Sequence, residues 1–94
     1  MKLVAAAIKF KIIGDDYLTI MCDKRHCNIF EKMHNMNIRY DKESAVQGFL
    51  TDNNTFVDRY EAYHIACAVD QLLPEAKLEY SGRKNAQLFS EDVW

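Results

Sequence analysis

The residues best suited to chemistry in this sequence are basic side chains in three short clusters. They are Lys24-Arg25-His26 before the first predicted helix, Arg59 in the first turn of the second predicted helix, and Arg83-Lys84 after the turn signal Ser81-Gly82. The N–H groups at the start of a helix favour anions, and arginine can bind a phosphate with two parallel hydrogen bonds. These clusters therefore predict an anion-binding site.

Each cluster also has a simpler explanation. Lys24-Arg25-His26 is typical of a solvated turn, and Arg83-Lys84 is typical of an exposed tail. Arg59 is unfavourable for the dipole of its helix, and a salt bridge to Asp58, to Glu61 or to a neighbouring subunit would account for it equally well.

A nucleotide ligand would need an aromatic ring as well as cations, because a purine gains roughly 1–3 kcal/mol by stacking on one. Phe56 is the candidate, since it lies close to Arg59 in the sequence. We expect the site where the first residues of the second helix meet the C-terminal tail, of the same or an adjacent subunit. The predicted ligand-binding residues are Arg25, His26, Phe56, Arg59, Arg83 and Lys84.

The patterns of common enzymes and metal sites are missing from the sequence. It has no Gly-x-Ser-x-Gly, no phosphate-binding glycine loop and no His-Glu-x-x-His. Asp15-Asp16 fits a turn better than a catalytic carboxylate pair. The possible metal ligands are Cys22, His26 and Cys27, and separately His64 with Cys67. Neither group has the spacing of a structural zinc site, so we expect no catalytic residue, no metal and no cofactor.

A β-hairpin and a helix are predicted in the first half of the chain. Residues 3–13 alternate apolar and polar side chains, Gly14-Asp15-Asp16 is a turn, and residues 17–21 return as a second strand. Asp23 is a plausible cap for an amphipathic helix that ends near Asn37. Residues 38–45 are polar without a clear period, which predicts a connection.

A second hairpin runs directly into a second helix. Phe49-Leu50 and Phe56-Val57 flank a polar turn at residues 51–55. Asp58 is predicted to cap the helix, with Glu61 reaching back to it, and Pro74 to end it. The apolar residues of its core face are Ala62, Ile65, Ala66, Val69, Leu72 and Leu73.

The pattern predicts an α+β fold in which the two hairpins form one antiparallel sheet. The order is ββαββα, with two amphipathic helices and a C-terminal tail that docks through the apolar residues of 88–94. Tyr60, Tyr63 and Cys67 add a second stripe to the second helix. Another copy of the chain would bury this stripe, as would the sheet edge or the tail.

Composition limits the classes of function. With 94 residues the chain predicts a single domain, and its formal charge of −2 gives it no general affinity for nucleic acids or membranes. Three cysteines, an odd number, suit a reducing compartment. Lys9 and Lys11 interrupt the apolar N-terminal run, and no segment reaches the roughly 20 apolar residues of a membrane span. We expect a soluble intracellular protein.

The sequence resembles the Thoeris anti-defence sponges, the first type described, which are small phage-encoded proteins. The resemblance rests on Arg25-His26 and on Gly48-Phe49-Leu50-Thr51. It also rests on Phe56-Val57-Asp58-Arg59 with Glu61-Ala62, Ile65-Ala66 and Gln71, and on the ending Leu88-Phe89-Ser90-Glu91-Asp92 to Trp94. It implies a non-enzymatic protein of the host cytoplasm that sequesters cyclic ADP-ribose isomers, or cyclic di- or trinucleotides, as a dimer or hexamer. Asn53-Asn54-Thr55, and Val69-Asp70 before Gln71, depart from the family pattern and bear on ligand preference.

A second class of function stays open beside the sponge. A small phage protein could instead inhibit a host enzyme by binding it directly, through an acidic surface. Nucleotide released from the heat-denatured protein distinguishes the two classes.

Overall fold

The computed structural model describes residues 1–15 and 17–94 and contains one antiparallel sheet covered by helices. The strands are β1 (Leu3–Ile12), β2 (Leu18–Asp23), β3 (Tyr40–Thr51) and β4 (Phe56–Asp58), in the spatial order β2-β1-β3-β4. The helices are α1 (His26–Asn35), α2 (Arg59–Ala68) and α3 (Pro74–Glu79), followed by a 3-10 turn at Ser90–Asp92. The predicted α+β fold of two hairpins in one sheet is confirmed.

The first hairpin pairs β1 with β2, and β1 also pairs with β3, so β1 is a central strand. Ile8 and Phe10 are fully buried and face the helices, whereas Lys9 and Lys11 point to the opposite face. The part of the predicted turn at Asp16 lies outside the described residues. The alternation of side chains in β1 therefore separates a core face from a second sheet face.

The third strand starts earlier than the sequence predicts. Residues 38–45 were expected to be a connection, but β3 begins at Tyr40, which pairs with Ile12. A bulge opposite residues 9–11 interrupts the pairing, and Ser44 Oγ there accepts a hydrogen bond from Lys11 N (2.9 Å). The extra residues of the bulge hide the period of two, which is why the pattern suggested no strand.

Helix α1 begins later than the sequence predicts. Arg25, not Asp23, occupies the N-cap, and its side chain makes no capping hydrogen bond. Asp23 ends β2 and pairs with Lys32 at 2.5 Å, and this interaction lowers the pKa of the Asp23 carboxyl. The helix ends as Asn37 adopts a left-handed backbone (φ 53°), and Ile38 N then bonds Met33 O at 3.0 Å. These features form a Schellman motif.

Helix α2 starts as predicted and ends sooner. Asp58 Oδ1 accepts a hydrogen bond from Glu61 N at 2.8 Å, which confirms the cap. The prediction that Pro74 ends this helix is wrong, because Asp70 already adopts φ 55° and Gln71 N bonds Ala66 O (2.8 Å). Pro74 instead begins α3, where its fixed φ and missing N–H are tolerated.

The C-terminal segment docks on the core, as predicted. Leu88 is fully buried, and Ala86 and Val93 are nearly so. Tyr63 is buried by this same part of the chain: its hydroxyl donates to Arg83 O (3.0 Å), and its ring meets Tyr80 edge to face. Tyr63 is therefore covered within its own chain, whereas Tyr60 and Cys67 of the same stripe remain exposed.

The core lies between the sheet and the helices. It joins residues of β1, β3 and β4 to residues of α1, α2, α3 and the tail. Its largest fully buried side chains are Leu3, Ile8, Phe10, Ile29, Met33, Phe49 and Leu88. In the described part of the chain, no helix has both the length and the apolar character that crossing a membrane requires.

Candidate functional site

Arg59 is held at the start of α2 by side chains from distant parts of the chain. Its Nη2 donates to Gln87 Oε1 at 2.6 Å and its Nη1 to Gln47 Oε1 at 3.4 Å. The guanidinium carbon lies 4.7 Å from the centre of the Phe89 ring. Arg59 is thus fixed by two neutral amides and one aromatic ring.

The C-terminal segment brings Gln87 and Phe89 to Arg59. Leu88 N donates to Arg59 O at 3.0 Å, which ties the segment to the first turn of α2. Asp92 Oδ2 accepts hydrogen bonds from Phe89 N (2.9 Å) and from the Tyr80 hydroxyl (2.7 Å). These contacts fix the position of the segment before any ligand binds.

A cleft of about 350 Å³ opens beside Arg59. It lies where β3 extends past the short strand β4, so the backbone of β3 forms one wall and the tail forms another. Tyr60 is about half exposed, and its hydroxyl accepts a hydrogen bond from Gln87 Nε2 at 3.1 Å. The lining residues are Ala45, Val46, Gln47, Asp58, Arg59, Tyr60 and Gln87.

The charge of Arg59 is not balanced by a carboxylate. Within residues 1–15 and 17–94 the ion pairs are Arg25–Glu91, Lys32–Asp23 and Lys77–Asp70. Asp58 lines the cleft, but its Oδ1 is engaged by the N–H of Glu61. The cleft therefore presents an oriented guanidinium whose hydrogen-bond partners are neutral, an arrangement that suits an anion.

Arg25 and His26 lie at the start of α1, and neither lines the cleft. Arg25 pairs with Glu91 at 3.6 Å. His26 is buried, stacks edge to face on Phe49 and contacts the carbonyl oxygen of Gly48 through Nε2 at 2.7 Å. Burial, together with the positive charge of Arg59, lowers the pKa of His26, so the neutral ring donates its Nε2–H to Gly48.

Phe56 lies on the sheet face opposite the helices and is half-buried there. Lys9 Nζ is 4.9 Å from the centre of its ring. Arg83 and Lys84 are exposed on the tail, and the Arg83 guanidinium is 5.8 Å from the Tyr80 ring centre. Of the six residues proposed from sequence, the cleft contains Arg59 alone.

Sequence reasoning located the meeting of α2 with the tail but missed the residues that complete the cleft. Gln47 lies in a strand whose period is hidden by the bulge, and Gln87 looks like an ordinary polar tail residue. The sequence marks Tyr60 only as part of the second stripe of α2. The apolar residues 88 and 89 beside Gln87 were the one available signal, since they predict docking of that segment.

A larger cavity of about 590 Å³ lies at the other end of the sheet. Lys11 and Lys42 line it together with Asp15 and Asp41, so its charges balance. In the described residues, no three histidine, cysteine, aspartate or glutamate side chains lie close enough together to hold a metal ion. The Arg59 cleft is the better candidate for a charged ligand because Gln47, Gln87 and Phe89 orient its guanidinium.

Comparison with known proteins places the chain in one family. Searches of curated proteins and of solved structures return no match. A family model described as "Phage T4 y16D protein" matches residues 2–94, which is nearly the whole chain. The chain therefore belongs to the phage T4 y16D protein family, a family of small phage proteins.

Proposed function

We propose that this phage-family protein captures a small phosphate-bearing nucleotide signal in the Arg59 cleft and does not cleave it. The observation behind the proposal is the Arg59 guanidinium, which is oriented by Gln47, Gln87 and Phe89 without a carboxylate partner among the described residues. An incoming phosphate oxygen replaces the amide oxygen of Gln87 and gains a charge-assisted hydrogen bond.

The remaining lining residues suit a nucleotide better than inorganic phosphate. The exposed ring of Tyr60 offers a surface on which a base can stack. The amides of Gln47 and Gln87 can each donate and accept hydrogen bonds, as the edge of a base requires. At about 350 Å³ the cleft is near the lower end of the usual range for ligand pockets, roughly 300–1,000 Å³.

The resemblance to Thoeris anti-defence sponges supports a particular ligand class. On that basis the signal is a cyclic ADP-ribose isomer or a cyclic oligonucleotide, and the protein removes it from the cytoplasm of the infected host. The lining of the cleft offers a guanidinium, amides, a phenol and the Asp58 carboxylate, whose Oδ1 caps α2, but no paired nucleophile and base. This composition supports sequestration rather than turnover.

Calorimetric titration with cyclic ADP-ribose and cyclic di-AMP tests the proposal, with AMP as a linear comparison. We expect Arg59→Gln to weaken binding at least about tenfold, or about 1.4 kcal/mol. Arg83→Ala, whose side chain lies outside the cleft, should bind like the wild type. If both variants lose the same affinity, the result would instead favour the site inferred from the sequence, in which the tail cations Arg83 and Lys84 also bind the ligand.

Recovery of the ligand tests the absence of cleavage. The loaded protein is unfolded by heat, and the released small molecules are separated and identified by mass spectrometry. We expect the intact ligand in the amount that was bound. A product that accumulates with time in the presence of pure protein contradicts sequestration, and no binding of any of the three probes contradicts this ligand class.

A further inference from the structure

A groove lies between the second half of α1 and the start of β3, and it shares no lining residue with the Arg59 cleft. It consists of two adjoining cavities of about 430 Å³ and 310 Å³, which have Met33, His34 and Ile38 in common. We call the two cavities together the α1 groove. The proposed nucleotide site leaves this groove unused.

The sequence forms the α1 groove by ending α1 in a tight turn. Asn37 adopts a φ of 53°, and Ile38 N bonds Met33 O at 3.0 Å, so the chain leaves the helix at once. Tyr40 then begins β3, and its ring centre lies 5.4 Å from that of the buried Phe10. The end of the helix and the start of the strand are therefore both fixed before any partner binds.

The floor of the α1 groove is apolar. Phe30 and Met33 lie three residues apart on one stripe of α1, and Ile38 and Tyr40 complete the floor. Met33 is buried, whereas the other three side chains are half-buried although they pack against the core. Apolar side chains that line a cavity and remain partly exposed can bury an apolar group of a partner.

The rim of the α1 groove is basic. His34 and Arg39 line the first cavity, His34 and Lys42 line the second, and all three side chains are exposed. Within residues 1–15 and 17–94, no carboxylate lines either cavity, and none of the three basic residues takes part in an ion pair. This positive rim belongs to a chain whose formal charge is −2. The α1 groove is thus complementary to an anionic partner.

Two features near the rim oppose an anion without cancelling its charge. Lys42 also lines the cavity at the end of the sheet, together with Asp15 and Asp41. Both carboxylates are engaged by their own loops, since Asp15 Oδ1 accepts from Tyr17 N (3.1 Å) and Asp41 Oδ1 from Glu43 N (3.0 Å). The negative end of the α1 dipole amounts to about half an elementary charge, against two permanent cations at the rim.

We propose that the α1 groove binds an acidic segment of another protein, which places one apolar side chain on the floor and its carboxylates at the rim. An inorganic anion gains nothing from the apolar floor. Arg39 and Lys42 belong to different cavities, so the partner needs more than one carboxylate, with the apolar group between them. A peptide with an apolar residue flanked by Asp or Glu meets both requirements. This inference is independent of the ligand proposed for the Arg59 cleft.

Two-dimensional NMR of the isotope-labelled protein tests the proposal with a synthetic peptide. The probe is Glu-Asp-Glu-Phe-Glu-Asp-Glu with both ends blocked, and we expect it to shift amide signals of residues 30–42. A second peptide has Ser in place of Phe, loses the burial of the ring and should bind at least about tenfold more weakly. A third peptide has Lys at every acidic position and should not bind.

Charge reversal at the rim tests the other half of the recognition. Lys42→Glu and Arg39→Glu should each weaken binding of the Phe peptide at least about fivefold, and added salt should reduce the difference. Lys2→Glu is the matched control. It makes the same change in net charge at another exposed lysine, which precedes β1 at the end of the sheet remote from Tyr40. Circular dichroism first establishes that the variants fold, and either rim variant alone is sufficient.

The two sites are distinguished by exchanging the probes. Arg59→Gln should bind the Phe peptide like the wild type, and Lys42→Glu should bind the nucleotide probes like the wild type. A dissociation constant above about 1 mM, amide shifts outside residues 30–42, equal binding of the Ser peptide, or equal weakening by Lys2→Glu each overturns the proposal. Phenylpropionate, which has a ring and one carboxylate, also overturns it if it binds as tightly as the peptide, and makes the α1 groove a site for a small organic acid.

Discussion

The side chain of Gln71 forms two hydrogen bonds with the backbone of Leu3, at the opposite end of the chain. Gln71 Oε1 accepts from Leu3 N at 2.9 Å, and Gln71 Nε2 donates to Leu3 O at 2.6 Å. The amide thus completes the pairing of the first β1 residue as another strand would. It also explains why α2 ends where it does, since Gln71 leaves the helical path to reach Leu3.

Gln71→Glu should destabilise the protein by about 1–3 kcal/mol, because the carboxylate cannot donate to Leu3 O. Urea denaturation followed by circular dichroism measures the change in the free energy of unfolding. Gln71→Met, which keeps the size and loses both hydrogen bonds, is the comparison. The interpretation is wrong if both variants unfold at the same urea concentration as the wild type.

His26 should make the stability depend on pH below its ordinary pKa of 6.5. Burial lowers its pKa in the folded state, so between that lowered value and 6.5 the unfolded chain binds more protons. Stability therefore falls as pH falls through this window, by at most about 1.4 kcal/mol per pH unit for one proton.

Urea denaturation at several pH values from about 7 to 5 measures this slope, and the range avoids the carboxyl groups that titrate lower. His26→Gln should reduce the dependence of the free energy of unfolding on pH, because a glutamine amide can donate to Gly48 O without titrating. His34→Gln is the control, since His34 is exposed. An unchanged slope in His26→Gln assigns the titration to another group.

The hydroxyl of Tyr80 and the carboxylate of Asp92 form a buried pair at the base of the tail. Their oxygens are 2.7 Å apart, and burial together with this hydrogen bond raises the pKa of Tyr80. Tyr80→Phe should cost about 1.5–3 kcal/mol, because a buried carboxylate loses a donor. Thermal unfolding measures the loss, and Tyr17→Phe, at a position 77% exposed, should change stability by less than about 0.5 kcal/mol.

Gly48 is required where β3 and β4 pair. A Cβ atom there would clash with the Val57 carbonyl oxygen and the Phe56 ring, and a strand backbone cannot move away cheaply. We expect Gly48→Ala to cost about 3 kcal/mol or more. A Cβ atom at Gly82 would have no atom within 4 Å. Gly82→Ala should therefore lower the free energy of unfolding by only about 1–2 kcal/mol, because the backbone there has a positive φ. Urea denaturation compares the two variants, and equal losses would contradict the steric explanation.

Gln87→Glu separates ligand binding from folding. A carboxylate at this position forms an ion pair with Arg59 and occupies the guanidinium that the ligand needs. We expect the melting temperature to stay the same or rise, while affinity for the nucleotide probes falls at least about tenfold. Gln87→Ala, which leaves Arg59 without its partner on the tail, should weaken binding less. Unchanged affinity in Gln87→Glu would show that Arg59 does not bind the ligand.

The sequence by itself determined the parts of this protein that depend on neighbouring residues. Alternation in β1, the Asx-rich turn after Thr51, the Asp58 cap and the apolar tail are all local signals, and each is present in the structure. Local signals failed where backbone geometry changed unexpectedly. The bulge in β3 hid a strand, and the left-handed Asp70 ended α2 before Pro74.

Only the tertiary structure decided which side chains surround Arg59 and which surface remains exposed. Gln87 is 28 residues from Arg59 in the sequence, and their contact depends on how the tail crosses α2. The tail also buries Tyr63, which the helical period alone places on a second apolar stripe of α2. Such contacts follow from packing of distant segments, and no local period in the chain records them.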